Sequence, residues 1–367
     1  MKLPTTVLVP SATMEMVISM SATVQDSRRF GYSIPVTNAT NADSIDQSSC
    51  VCGAINGKPK FQIGNTPWSV VDCLNCGTGR LTPAPNQQQL SEFYEHSYYG
   101  REGSKFRLGV EFAVRLVARR RTRFLTRHFP SGGRVLDVGC GRGVLLNNLA
   151  ELGYEAWGTE ISAEACRGVD PSVNVRIADS LRLAELGESL FDGIVIWHVL
   201  EHLADPAETI REAWRLLKPG GRLIVSVPNY GSLQARLAGA AWFHLDPPRH
   251  LFHFTVPALN DLLCREQFSV CSTHHFSLRQ NPFGWVQSAL NRTGLFPRNA
   301  LYTMLQAESA VQGGLVRRFI QRCAWLAGMP IGLTLSVLAA LMQTGATVHV
   351  VAEKPVETRR SVRRIPR

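Results

Sequence analysis

The segment from His198 to His202 groups side chains that can move a proton or bind a metal. If the segment is helical, His198, Glu201 and His202 occupy positions i, i+3 and i+4 and share one face. Imidazole and carboxylate groups act as general bases and also bind divalent metals. The spacing therefore predicts a base or a metal site, but it is equally typical of a helix start whose polar side chains hold a loop.

Two cysteine pairs have the spacing of metal ligands. Cys50 and Cys52 precede Gly53, while Cys73 and Cys76 precede Gly77. Four thiolates on facing turns can bind a tetrahedral zinc, although the first pair is one residue shorter than usual. The alternative is four free, buried cysteines. The chain has nine cysteines, an odd number, which indicates a reducing, cytoplasmic environment rather than a disulfide framework.

A third feature is a glycine-rich turn after a short apolar strand. Arg134–Val138 reads as a buried strand containing Asp137, and Gly139, Gly141 and Gly143 follow before an apolar helix. Glycines there permit a tight turn and the close approach of a ligand. The pattern predicts the first βα unit of an open sheet, with a ligand at the carboxyl ends of the strands. Val144 stands where a dinucleotide-binding fingerprint requires glycine or alanine, so the turn departs from that fingerprint.

These motifs together resemble the class I S-adenosylmethionine-dependent methyltransferases of the methyltransferase-23 type. The Asp-x-Gly-x-Gly-x-Gly run at 137–143 resembles their first motif. Val-Leu-Glu-His-Leu at 199–203 and Leu-Lys-Pro-Gly-Gly at 217–221 resemble their small-molecule members. The resemblance extends through Asn229 and more loosely to the last strand. It implies an α/β fold, a Rossmann-like seven-stranded sheet with helices on both faces, preceded here by a small zinc ribbon.

The resemblance also implies the cofactor contacts. Asp137 and the glycines would surround the methionine moiety, Glu160 at the end of the second strand would accept the ribose hydroxyls, and Asp179 would accept the adenine amino group. Glu160 could instead be an exposed strand end, and Asp179 could neighbour a helix cap. The full set of expected S-adenosyl-L-methionine contacts is Asp137, Gly139, Cys140, Gly141, Gly143, Glu160, Ile161, Asp179, Ser180 and His198.

Methyl transfer from a sulfonium requires alignment of donor and acceptor and, for a hydroxyl, removal of a proton. The expected catalytic residues are His198, Glu201, His202 and His250, with Arg249 as an anion contact. Some quinone-biosynthesis O-methyltransferases place a divalent metal on Glu-x-x-Glu-His at this point. The chain has His198 at the first position, so that motif is incomplete.

The chain is predicted to have five parts. We expect a disordered segment at 1–48, a zinc ribbon at 49–80 with ligands Cys50, Cys52, Cys73 and Cys76, linker helices at 81–128, a methyltransferase domain at 129–355 and a basic tail at 356–367. Two insertions in the domain are expected, a lid at 229–254 and a hydrophobic insertion at 278–345.

The hydrophobic insertion contains an uncharged stretch from Cys323 to Met342, close to the length that crosses a bilayer. A true span would separate the last strand from its sheet, and Gly328, Pro330 and Gly332 are expected to interrupt the helix. We therefore predict a hydrophobic hairpin that lies on a membrane or packs over the acceptor site.

The net charge of +10 and pI near 9.4 favour an anionic partner. The predicted function is methylation, at oxygen, of a small-molecule, sugar or lipid-linked acceptor, with possible peripheral membrane contact. One alternative is an RNA methyltransferase that grips its substrate with the ribbon, although Lys58 and Lys60 are the only basic residues between Cys50 and Cys76. Another is a non-catalytic module that binds the cofactor.

Overall fold

A computed structural model of the chain describes residues 49–86, 108–306 and 314–356. The segment predicted to be disordered, the residues at 87–107 within the predicted linker, and the tail from 357 onward lie outside the described residues. The strands are β1 (Gly57–Gln62), β2 (Ser69–Cys73), β3 (Gly79–Thr82), β4 (Arg134–Val138), β5 (Glu155–Glu160), β6 (Asn174–Ile177), β7 (Phe191–Trp197), β8 (Leu217–Pro228), β9 (Phe252–His253), β10 (Ser269–His274) and β11 (Thr347–Glu353). The helices are α1 (Leu108–Thr126), α2 (Val144–Glu151), α3 (Pro206–Leu216), α4 (Leu233–Ala238), α5 (Val256–Arg265), α6 (Asn281–Thr293), α7 (Ala300–Leu305) and α8 (Leu315–Leu341).

The larger sheet has seven strands in the order β10-β11-β8-β7-β4-β5-β6, and β11 runs antiparallel to both of its neighbours. Strands β4 to β8 are parallel. The predicted α/β class and seven-stranded sheet are confirmed. Because β4 pairs with β7 on one side and β5 on the other, the chain order reverses at β4, the point where open α/β sheets bind ligands.

Both faces of the large sheet are covered, which explains why its central strands are apolar runs rather than alternating ones. On one face Leu125 of α1 and Leu146 of α2 pack on Val195 and Ile224. On the other face, α3 and α5 pack on the sheet through Ile210 and Leu262. The two cores fix β4, β5 and β7 in register, so their carboxyl ends lie side by side.

The smaller sheet has the order β1-β2-β3-β9 and is antiparallel. Its last strand, β9, comes from the segment 229–254 that the sequence suggested as a lid. Gly79 pairs with His253 and Arg80 with Phe252. Ile63 of the ribbon and Trp242 of that segment are buried in one shared cluster. The ribbon is therefore joined to the rest of the fold through this segment.

The prediction that Gly328, Pro330 and Gly332 interrupt the apolar insertion is wrong, and so is the predicted hairpin. The region forms one continuous helix, α8, of 27 residues with Pro330 inside it. The glycines serve packing instead: a Cβ at Gly332 would lie 2.6 Å from the carbonyl oxygen of Pro282 in α6. Their absence of side chains lets α8 approach α6 closely.

Among the described residues, α8 is the one helix long and apolar enough to cross a membrane by length and composition alone. Val316–Leu341 has a mean hydropathy of 1.8 in its most apolar window, and only 17% of that window is buried.

Close packing of the large sheet can be tested at Gly193 of β7. A Cβ there would lie 2.4 Å from ring carbons of the buried Phe129. We predict that Gly193→Ala lowers the free energy of unfolding by about 1–3 kcal/mol, measured by urea denaturation at fixed zinc concentration. The matched control is Gly187→Ala, where a Cβ would meet nothing within 4 Å. Equal stability of the two variants would contradict the close contact.

Candidate functional site

A cleft of about 2000 Å³ opens at the carboxyl ends of β4, β5 and β7. It is lined on one side by the glycine-rich turn and Glu160, and on the other by the segment that follows β7. Every residue predicted to bind the cofactor or to act in catalysis, except Gly143, lines this cleft: Asp137, Gly139, Cys140, Gly141, Glu160, Ile161, Asp179, Ser180, His198, Glu201, His202 and His250. Residues chosen from five separate stretches of sequence are thus brought to a single cavity.

The glycine-rich turn requires its glycines for conformation and for space. Gly139, Gly141 and Gly143 have φ values of +67°, +52° and +68°, in the left-handed region that other residues avoid. A Cβ at Gly139 would lie 2.7 Å from a methyl group of Val199, and one at Gly143 would lie 2.5 Å from Val169. The contact with Val199 joins the turn directly to the segment containing His198.

Glu160 holds this turn against the end of β5. One of its carboxylate oxygens accepts a hydrogen bond of 2.8 Å from the N–H of Gly141, and the other accepts one of 2.9 Å from the N–H of Ile161. Its side chain is buried, so the alternative of an exposed strand end is wrong. The second oxygen also accepts a longer hydrogen bond of 3.4 Å from the N–H of Ser162, and the carboxylate lines the cleft.

Asp137 is a buried carboxyl at the end of β4, only 5% exposed. Burial raises its pKa to about 7, an effect that the positive charge of Arg121 partly opposes. A carboxyl with this pKa changes its charge near neutral pH, so it can respond to a cation placed beside it.

Three other predicted cofactor contacts, Cys140, Ser180 and Asp179, differ in their exposure and hydrogen bonding. The backbone N–H of Cys140 donates to the carbonyl of Thr159, which ties the turn to β5. The hydroxyl of Ser180 accepts a hydrogen bond of 3.3 Å from the N–H of Leu183, so it caps a short turn. Asp179 is exposed at the rim of the cleft. Of these, Asp179 retains a carboxylate available to a ligand in the cleft.

The segment after β7 does not form the α-helix considered from the sequence; it forms a single 3₁₀ turn, Leu200–His202, preceded by His198 with φ +54°. Nδ1 of His198 lies 3.1 Å from Oε1 of Glu201. His202 turns toward another partner, with its Nδ1 2.9 Å from the carbonyl oxygen of Arg249. His198 and Glu201 are therefore paired, while His202 bonds the segment 229–254.

Burial controls the protonation of this pair. It raises the pKa of Glu201, which is 1% exposed, to about 7, and it lowers that of His198 to about 3, with Arg279 and Arg121 adding to the decrease. His198 is thus a neutral imidazole at neutral pH. Its Nε2 and the Oε2 of Glu201 are buried and find no hydrogen-bond partner among the described residues. Leaving a buried polar atom without a hydrogen bond costs free energy, and both residues line the cleft, so these two atoms are candidates to bind a ligand there.

His250 joins Glu201 and His202 from the segment 229–254. One ligand atom from each of the three lies within 4.8 Å of the others, a geometry that could hold a divalent cation. This group includes His250 in place of His198, which differs from the set suggested by sequence spacing. Burial lowers the pKa of His250, with its Nδ1 2.8 Å from the carbonyl oxygen of His244.

Backbone hydrogen bonds connect the ribbon to this wall of the cleft. The N–H of Leu251 donates to the carbonyl of Glu201 over 2.8 Å, and the carbonyl of Leu251 accepts from the N–H of Leu81 in β3 over 2.9 Å. The hydroxyl of Tyr230 also donates to Asp72 of β2 over 2.9 Å. The ribbon sheet therefore supports the residues adjacent to His250 and Glu201.

Sequence reasoning missed several residues of the cleft. His244 is buried, and its Nε2 has no partner among the described residues; its position in a His-rich run was the one available signal. Arg249, expected to contact an anion, instead forms an ion pair of 2.7 Å with Asp246. The far end of the cleft is apolar and aromatic, with Phe243, Phe283, Tyr302, Leu305, Trp325 and Met329. No motif marks those positions.

The four ribbon cysteines lie together with free thiols. Sγ of Cys50 is 3.5 Å from that of Cys76, Sγ of Cys52 is 3.6 Å from that of Cys73, and all four lie within 4.8 Å of one another. A tetrahedral metal with bonds of about 2.3 Å to sulfur would separate the sulfurs by about 3.8 Å. The arrangement fits such a metal.

Both cysteine turns end in a left-handed glycine, Gly53 at φ +81° and Gly77 at φ +72°. The turn that contains Cys50 and Cys52, although one residue shorter, thus ends in the same backbone conformation as the turn that contains Cys73 and Cys76. Burial raises the pKa of Cys73, but N–H groups of Cys76 and Asn75 oppose it and bring the value down to about 7. A thiol with this pKa supplies a thiolate ligand readily.

Comparison with known proteins supports a single family. Residues 110–273 match a family model described as "Methyltransferase domain". The chain is 36% identical over 133 residues to a protein named ubiquinone biosynthesis O-methyltransferase from Xanthomonas oryzae pv. oryzae, covering 34% of the chain and 56% of that relative. A relative of the same name from Xylella fastidiosa is 37% identical over 114 residues, covering 29% of the chain and 46% of the relative.

Among solved structures, a SAM-dependent methyltransferase from Archaeoglobus fulgidus is similar with a TM-score of 0.43 and 23% identity, covering 65% of this chain and 94% of that one. The chain spans about half the length of the curated relatives it matches. The matched region contains the glycine-rich turn, Glu160 and the His198–Glu201 pair. Over residues 110–273 the chain is therefore similar to the S-adenosylmethionine-dependent methyltransferases.

Proposed function

We propose that this protein transfers a methyl group from S-adenosylmethionine to the oxygen of a small-molecule acceptor. The observation that carries the proposal is that one cleft contains both the glycine turn with Glu160 and the paired His198 and Glu201. The names of the matched relatives refer to O-methylation, in agreement with this proposal.

The donor half of the cleft is proposed to bind the cofactor as the family resemblance suggests. Asp137 and the turn would contact the methionine moiety, with the Asp137 carboxylate beside its ammonium group. Glu160, which lines the cleft at the end of β5, would accept the two ribose hydroxyls. Asp179 at the rim would accept from the adenine amino group. When bound, the cofactor supplies an electrophilic methyl group on a sulfonium.

The acceptor half is proposed to remove the hydroxyl proton. With Nδ1–H of His198 donating to Glu201, the unpaired Nε2 is the basic atom and can take a proton from an acceptor in the cleft. An ionised Glu201 then stabilises the imidazolium by charge and holds the ring in this tautomer. Glu201, His202 and His250 could alternatively hold a divalent metal that orients the acceptor oxygen. Removing metal with a chelator distinguishes the two routes.

The rival functions have less support. A ribbon that grips RNA requires several exposed basic side chains, but Lys58 and Lys60 are the only basic residues between Cys50 and Cys76, and Lys60 is paired with Asp72 at 2.9 Å. A non-catalytic module that binds cofactor gives no reason for unpaired, buried polar atoms on both His198 and Glu201. We therefore favour the small-molecule O-methyltransferase.

We also propose that Cys50, Cys52, Cys73 and Cys76 bind a structural zinc. Support comes from the spacing of the four sulfurs and from the absence of a disulfide among them. The ribbon has few buried apolar side chains of its own, so the metal would contribute much of its folding energy. Its proposed role is to hold β3 in place for pairing with β9.

The ribose contact can be tested with Glu160→Gln. We predict a loss of roughly 10–100-fold in affinity for S-adenosylhomocysteine, measured by calorimetry, since charge-assisted hydrogen bonds contribute about 1.5–3 kcal/mol. The matched control is Glu155→Gln at the opposite end of β5, whose side chain pairs with Arg134. Equal affinities for both variants would overturn the proposed role of Glu160.

The methionine contact predicts a pH dependence. A pKa of about 7 means that Asp137 loses its charge as pH falls. If the ionised form binds the ammonium, affinity for S-adenosylhomocysteine should fall roughly eightfold from pH 7.5 to pH 6. Asp137→Asn should bind more weakly at pH 7.5 and lose most of this dependence. An unchanged pH profile in the variant would contradict the contact.

The zinc proposal predicts one equivalent of zinc in the purified protein, measured by mass spectrometry. Cys73→Ser should lower the zinc content and melting temperature, since a ligand is lost. Cys264→Ser is the control, because Cys264 is exposed and lies outside the cluster. A folded wild-type protein without bound metal, even after incubation with zinc, would overturn the proposal.

A further inference from the structure

Helix α8 exposes large apolar side chains from its first turn to its last. The exposed side chains include Phe319 at 68% and Leu341 at 77%. The complete set of large apolar residues exposed on α8 and its cap is Val316, Phe319, Ile320, Leu326, Ile331, Leu333, Val337, Leu338, Leu341 and Met342. An apolar patch of this extent on a soluble domain marks an interaction surface.

The opposite face of α8 is anchored to the domain. Gly328 lies against Val286 and Gly332 against Pro282, so α8 and α6 are in close contact. Ala339 is 2% exposed near the end of the helix. Trp325 packs against the small cluster that contains Leu301. The helix therefore has one fixed face and one unpartnered apolar face among the described residues.

Charge on α8 is confined to its beginning and has one sign. Arg317, Arg318 and Arg322 occupy the first turns, and the helix contains no acidic residue. From Cys323 to Met342 no side chain is charged. Arginines at the edge of an apolar face can place their guanidinium groups among anionic head groups while the apolar side chains enter the lipid.

The position of α8 argues against a membrane-spanning helix. Its anchored face packs along α6, and the chain enters β11 at Thr347, shortly after Met342. Strand β11 lies between β8 and β10 in the large sheet. A helix that crossed the bilayer would carry this polar domain into the hydrocarbon layer, where its surface groups have no water. The helix can instead lie in the plane of the interface.

From these features we infer that the apolar face of α8 docks on an anionic lipid bilayer. The apolar residues enter the acyl boundary, and the three arginines bind lipid phosphates. Trp325 and Met329 of the same helix also line the cleft. Docking therefore brings the apolar part of the cleft to the lipid surface. This position suits an acceptor with an apolar tail. The statement about the acceptor rests on the proposed function, whereas the docking itself does not.

The test is vesicle flotation of the full chain with 3:1 phosphatidylcholine–phosphatidylglycerol vesicles and with pure phosphatidylcholine. We expect binding that is stronger on the anionic vesicles. Leu326→Asp combined with Leu341→Asp should lower the partition coefficient by at least roughly tenfold, since two buried apolar groups are lost and two negative charges are added. The matched control is Leu152→Asp with Leu183→Asp, two residues that are similarly exposed elsewhere on the domain.

A second variant tests the charge contribution. Replacing Arg317, Arg318 and Arg322 by Gln should remove the preference for anionic vesicles, since lipid phosphates lose their partners. The inference would be overturned if the variant with Leu326→Asp and Leu341→Asp bound vesicles as strongly as the wild type and the control variant. So would a wild-type dimer by light scattering that becomes monomeric only in the α8 variant, because a second copy would then cover the face.

Calorimetry with S-adenosylhomocysteine on the same proteins separates this inference from the proposed function. A protein that binds vesicles but not S-adenosylhomocysteine would retain the docking surface and overturn the methyltransferase proposal. A protein that binds S-adenosylhomocysteine but not vesicles would overturn the docking inference and leave the methyltransferase proposal in place.

Discussion

The backbone of Leu251 is the link on which the acceptor wall depends. Its N–H bonds the carbonyl of Glu201 and its carbonyl bonds the N–H of Leu81, so one peptide segment joins the large sheet to the ribbon. The first of these bonds fixes the backbone of Glu201, whose side chain is 1% exposed and pairs with His198. The ribbon thus supports the wall of the cleft that contains Glu201 and His250.

The donor half of the cleft depends on a different constraint, the reversal of strand order at β4. Strands β4, β5 and β7 end side by side, which places Asp137, Glu160 and His198 around one cavity. The hydrogen bond from Gly141 to Glu160 and the contact of Gly139 with Val199 then connect these three ends. Direct contacts therefore join the ends of β4, β5 and β7, which would help to hold the proposed methyl donor and acceptor in line.

Much of this could be predicted from the sequence because the signals were local. The strand Arg134–Val138 was predicted with the bounds that the structure has, since buried parallel strands read as short apolar runs between turns. The glycines, Asp137 and Glu160 could be placed because strand ends and close turns have characteristic residues. The role of each of these residues in binding stays a prediction.

The rest depended on contacts between distant residues. Strand β9 has only two residues and carries no pattern of its own, so its pairing with β3 was not visible. The glycines of α8 were interpreted as breaks because their packing partners lie in another helix. The possible metal group contains His250 from the distant segment 229–254 with Glu201 and His202, whereas His198 pairs with Glu201 alone.

The most direct test of the central claim is a crystal structure of the protein with S-adenosylhomocysteine. The account predicts the ribose hydroxyls on Glu160, the amino-acid part beside Asp137 and the sulfur facing the side of the cleft that holds His198 and His250. A ligand bound elsewhere, or one whose sulfur faces away from that wall, would contradict the shared donor and acceptor cleft.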